Sequence, residues 1–153
     1  MDYLQQAFGG LDPQTDQDAA VKFALNAILM DARLHELSCL LIDGHDIGGI
    51  EGEPGWIIER RDTGPSGELP YYSEWPMNAR FHVHVEPAAF ELAYPDVFME
   101  GHDFGRYVGK AMDTYLMENS TETDGAKFII SQLKASVAQT SGPGLSIQDQ
   151  ILS

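Results

Sequence analysis

Apolar residues recur at helical spacing from about Thr15 to His35. Ala20, Val21, Ala24, Leu25, Ile28, Leu29 and Ala32 fall on one stripe, the pattern of a helix with a single buried side. Thr15 or Asp16 is the expected cap, and Arg33 near the far end suits the helix dipole. Leu37–Ile42 is a short apolar run that fits either a strand or a last helical turn. The next stretch, DGHDIGGIEGEPG at 43–55, is too rich in glycine for a regular element. It reads as a loop, or as a hairpin about Gly48 and Gly49. Trp56, Ile57 and Ile58 followed by Glu59 and Arg60 predict a strand, and residues 62–79 an ordered loop. Phe81, Val83 and Val85 alternate with His82, His84 and Glu86, which predicts a strand with one buried face, ended by Pro87.

Asp96–Met99 fits a further short strand. Phe104, Tyr107, Val108, Ala111, Met112, Tyr115 and Leu116 then trace an amphipathic helix face, with Asp103 as the expected N-cap. Gly105 and Gly109 each weaken that helix by about 1 kcal/mol relative to alanine, so a close neighbour is expected on their side. A last helix is predicted from about Thr123 to Gln139, with Ala126, Ile129, Ile130, Leu133 and Val137 inward and Gly142-Pro143 as its stop. Residues 143–153 read as a loosely ordered tail. Helix, then strands, then two helices is a segregated order. It predicts an α+β fold: one domain over 1–153, an antiparallel sheet of about 3–5 strands, and an N-terminal and two C-terminal helices packed on it.

Length and composition agree with this picture. A chain of 153 residues with 43% hydrophobic content suits about one domain with a core of its own. No apolar run reaches the length of a membrane span. Met1–Leu11 has no basic residue and no long apolar stretch, so no secretory signal or basic transit peptide is expected. The single cysteine, Cys39, permits no internal disulfide and fits a reducing compartment, so a cytoplasmic location is expected.

Charge changes the picture more. The formal net charge is −15, which disfavours direct contact with nucleic acid or an anionic membrane and favours a basic protein partner. The excess is clustered. Residues 1–53 carry ten acids and two bases, and residues 86–124 nine acids and two bases. Between them lies a nearly balanced stretch holding Trp56, Tyr71, Tyr72 and Trp75. Aromatics of this kind either anchor interfaces or cover a core beneath a long loop.

Candidate chemistry is sparse. His82 and His84 share one strand face with Glu86, and with His102 nearby they form a candidate metal set for Zn²⁺ or Fe²⁺. A solvent-facing polar strand side explains the same residues. Asp43, Asp46, Glu51 and Glu53 invite a calcium reading, which fails. Counting from Asp43, the third, fifth and twelfth positions are His45, Ile47 and Pro54, and only Gly48 fits. No phosphate-binding glycine motif and no serine elbow is present. Cys39 lies four residues from His35, but Leu37, Leu40 and Leu41 around it mark a core cysteine rather than a nucleophile. No catalytic group and no cofactor is expected.

The clustered acids, and the strand-then-helix layout of FHVHVEPAAFELAYPDVFMEGHDFGRYVGKAMDTYLMEN at 81–119, resemble small bacterial immunity proteins. These are the antidotes to secreted nuclease toxins and contact-dependent growth-inhibition toxins. The resemblance implies tight binding to a basic toxin domain, occluding its active site or nucleic-acid groove; a monomer or weak dimer is expected. Asp43, Asp46, Glu51, Glu53, Trp75, Glu86, Glu100 and Asp103 are the expected contact residues. Two alternatives remain open: a metal-binding domain or small metalloenzyme using His82, His84, Glu86 and His102, and a DNA mimic that inhibits a nucleic-acid-binding protein.

Overall fold

A computed structural model describes residues 2–140. The helices are α1 (Leu4–Phe8), α2 (Ala19–Met30), α3 (Leu34–Leu40), α4 (Gly101–Glu118) and α5 (Asp124–Thr140). The strands are β1 (Gly49–Gly52), β2 (Trp56–Arg60), β3 (Phe81–Val85) and β4 (Asp96–Met99). The strands form one antiparallel meander in the order β1-β2-β3-β4. The fold is α+β, as the element order predicts. The expected tail at 143–153 and the stop at Gly142-Pro143 lie outside the described residues.

Strand parity divides the sheet into two unlike faces. Ile50, Ile58, Val83 and Val97 are in register across the four strands, and the first three are almost fully buried. Trp56, Val85, Phe81 and Met99 extend this inner face. Helix α2 packs across it, against β3 above all, and α4 lies beside α2. Small residues let α2 approach closely: Ala19, Ala20 and Ala24 have no exposed surface, nor do Val21, Leu25 and Ile28. Phe104 of α4 stacks on Phe81, with ring centroids 4.2 Å apart. Helix α5 packs against α4 and α3. Cβ atoms built at Gly105 and Gly109 would meet Leu133 of α5 at 3.5 and 3.8 Å. That is ordinary contact, so the close neighbour expected there is α5.

Three local expectations are corrected. The helix predicted over 15–35 is two helices, with a break at Asp31–Arg33. Ala32 takes a left-handed backbone, φ 53°, the Ala32 N–H donates to the Leu29 carbonyl, and the Arg33 N–H donates to the Ile28 carbonyl. This is a Schellman ending with alanine where glycine is usual, so its signal is missing from the sequence. The hairpin turn falls at Glu53–Gly55, not at Gly48 and Gly49, because Gly49–Gly52 is itself paired. The caps are also displaced. Asp18 precedes α2 and Glu100 precedes α4, neither with a side-chain cap bond. Asp16 instead accepts from the Asp12 N–H and the Lys22 Nζ.

Candidate functional site: the open face and edge of the sheet

Among the described residues, the helices cover only the inner face of the sheet. On the outer face, register places Glu59 beside His82 and Phe98, and Glu51 and Ile57 beside His84 and Asp96. Glu59, His82, Asp96, His84 and Glu86 form one continuous chain of carboxylates and imidazoles. The Tyr71 hydroxyl donates to Glu59 Oε1 at 2.6 Å. His82 Nδ1 is 3.0 Å from Glu59 Oε2, and its Nε2 is 2.8 Å from Asp96 Oδ1. The same Asp96 oxygen lies 2.8 Å from His84 Nδ1, and His84 Nε2 is 3.2 Å from Glu86 Oε2. Every imidazole nitrogen in the chain therefore faces a carboxylate.

The electrostatics follow from that alternation. Partial burial pushes His84 down, but Asp96 and Glu86 outweigh it, and its imidazole is held above the ordinary value. Burial pushes Asp96 up, but its bonds to His82 and His84 outweigh this and hold it below the usual carboxylate value. The hydrogen bond to Glu59, reinforced by burial, pushes Tyr71 up to about 12.

An aromatic layer roofs one end of the chain. The loop between β2 and β3, through its two 3₁₀ turns at Pro65–Glu68 and Pro70–Tyr72, lays Trp75 over His82 and Phe98, with centroid distances of 5.6 and 5.4 Å. Phe98 stacks flat on His82 at 4.4 Å. Trp75 is only 9% exposed, so its ring is committed to this roof; Tyr71 is the exposed member.

Besides Trp75, the expected contact residues fall into three groups. Glu51, Glu53 and Glu86 line one depression of about 250 Å³ with Ile57 and His84. Acids from both charged blocks thus meet there, and among the described residues its lining holds no lysine or arginine. Glu100 and Asp103 line a larger cleft of about 550 Å³ with Asp18, Val97, Phe98, Met77 and Arg106. Asp43 and Asp46 sit in the loop before β1. Asp43 is engaged within the fold, accepting from the Thr63 N–H and hydroxyl. Asp46 is exposed.

That loop is pinned by a residue the sequence reading passed over. Arg60 is 5% exposed and donates to the carbonyls of Cys39, Leu40, His45 and Ile47, while its Nε pairs with Asp62. The parity of β2, with Trp56 and Ile58 inward, was the available signal for a buried position 60. Glu59 and Asp96 were missed for another reason. Their meeting with the histidines depends on strand register, which no local pattern reveals.

His82, His84 and Glu86 do share a face, but His102 lies apart on the exposed side of α4. Among the described residues no three His, Cys, Asp or Glu side chains converge in a way that could hold a metal ion. Cys39 is buried, 3.8 Å from His35 Nε2 across one turn of α3. Both line an apolar cavity of about 490 Å³ with Leu34, Ile42 and Phe128. No described helix is long and apolar enough to cross a membrane. Comparison with known protein families, curated proteins and solved structures finds no match.

Proposed function

We propose that this protein binds and neutralises a basic protein partner, of the kind that nuclease toxins represent, through the acidic open side of its sheet. One observation carries the reading. Glu51 and Glu53, from the first acidic block, and Glu86, from the second, surround a single depression. Carboxylates gathered this way speed the approach of a basic surface and fix its orientation more than they add affinity. The exposed Tyr71 and Phe98, on the same outer side of the sheet, supply apolar contact at small conformational cost.

The test uses the product of the neighbouring gene as an immobilised probe, and a neighbour that encodes no basic toxin counts against the reading. The unmodified protein is expected to bind it and to suppress its nuclease activity. The triple variant E51K/E53K/E86K is expected to associate at least tenfold more slowly. Unchanged association in that variant, with its fold intact by circular dichroism, would overturn the reading.

A further inference from the structure

The two edges of the sheet differ. In antiparallel pairing, alternate residues turn their N–H and C=O outward. The Gly48 carbonyl accepts from the Arg60 N–H, so in β1 the outward residues are Gly49 and Glu51. There Arg33 Nη1 donates to the Glu51 carbonyl at 2.9 Å. The guanidinium is held in place by Glu36, with contacts of 2.7 and 2.9 Å, and lies over the Trp56 ring. That edge is obstructed.

At the other edge, the Val85 N–H donates to the Pro95 carbonyl. Pro95, Val97 and Met99 therefore face β3, while Asp96 and Phe98 turn their backbone groups outward. No described residue pairs with those groups. The cleft of about 550 Å³ runs beside this edge. Its floor is Val97, Phe98 and Met99. Asp18, Glu100 and Asp103 also line it, as do Arg106, which lies 3.5 Å from Asp103, and Met77, 87% exposed.

We propose that the edge of β4 is a strand-acceptor site for an extended basic segment of the partner, which adds to the sheet as a fifth strand. The incoming backbone pairs with Asp96 and Phe98. Its alternate side chains fill the cleft, and its lysines or arginines meet Glu100 and Asp103. Charge decides between occupants. A second copy of this chain would bring Asp96, Glu100 and Asp103 against their own kind, and like charges set opposite one another on paired strands repel. A basic strand meets a cleft that is negative on balance, three carboxylates against Arg106. This site rests on the proposed function for its partner class, but not for its geometry.

The probe is an eight-residue acetylated peptide of alternating lysine and valine, with an alternating glutamate and valine peptide as control. Saturating basic peptide is expected to slow hydrogen exchange of the Asp96 and Phe98 amides at least tenfold. E100Q/D103N is expected to weaken its binding at least fivefold. Phe98→Pro, which deletes the outward N–H, is expected to abolish binding. Because that variant also loses the ring stacked on His82, exchange in the unmodified protein is the deciding measurement.

Three results would overturn the site: unslowed amides, equal slowing by the glutamate peptide, or a sedimenting dimer whose Asp96 and Phe98 amides are already protected. The variant E51K/E53K/E86K is expected to keep its peptide binding, since Glu51, Glu53 and Glu86 lie outside this cleft. Loss of the strand site and loss of the toxin-binding reading are therefore read out separately.

Discussion

Arg60 joins the sheet to the loop that precedes it. Its guanidinium meets four carbonyls and one carboxylate in a buried setting. Removing the charge strands all of them. Arg60→Met is expected to cost about 3–5 kcal/mol, the range for breaking a buried ion pair from one side, measured as a lower urea midpoint. It is also expected to free the 43–48 loop to rapid amide exchange. His84 gives a second prediction. Its imidazole is held above the ordinary value by Asp96 and Glu86 acting against burial. A raised histidine contributes stability that is full below its unfolded value of about 6.5 and is lost as pH rises through the folded value. Asp96, held low, contributes stability that is present above its unfolded value of about 4 and is lost as pH falls through its lowered one. Unfolding midpoints are thus expected to fall as pH rises above about 6.5, and this decline is expected to shrink in Asp96→Asn. Titration of His84 by NMR in that variant is expected to give a lower value than in the unmodified protein. These residues were only half legible. The alternation FHVHV places both histidines on one face, but their carboxylate partners come from β2 and β4.

At the scale of elements, the periodic segments were the readable ones. The strand at Phe81–Val85 and the helix carrying Phe104, Val108, Ala111, Met112 and Tyr115 stand where their patterns put them. Each has enough repeats for one face to be unmistakable. Short elements were not readable. Helix α1 has five residues, too few to show a period. The break after α2 was hidden because alanine, an excellent helix former, occupies the one left-handed position. An L side chain there costs roughly 1 kcal/mol relative to glycine. Ala32→Gly is therefore expected to raise stability by about 0.5–1 kcal/mol in urea unfolding, against the usual cost of glycine within a helix.

The whole molecule carries its charge unevenly. Acids that are far apart in the chain converge at the depression of Glu51, Glu53 and Glu86 and along the cleft of Asp18, Glu100 and Asp103. Sequence counting showed two blocks, but their meeting depends on the meander and on α4 returning beside α2. Net charge of this size also repels itself. Raising ionic strength from about 10 to 150 mM, which shortens the screening length from about 30 to 8 Å, is expected to raise the melting temperature. A melting temperature that falls with added salt would mean that the ion pairs of Arg33, Lys22 and Arg60 outweigh the repulsion.

The obstruction of β1 by Arg33 has a consequence for growth. A sheet with two free margins can lengthen without limit, copy after copy, as fibrils do. Here a newcomer at β4 finds no equivalent docking place on the far side, where it would first have to dislodge Arg33 from the Glu51 carbonyl and from Glu36. Among the described residues only the β4 margin is open, so assembly through this sheet is expected to end after one addition. The protein can accept a strand without becoming the seed of a polymer.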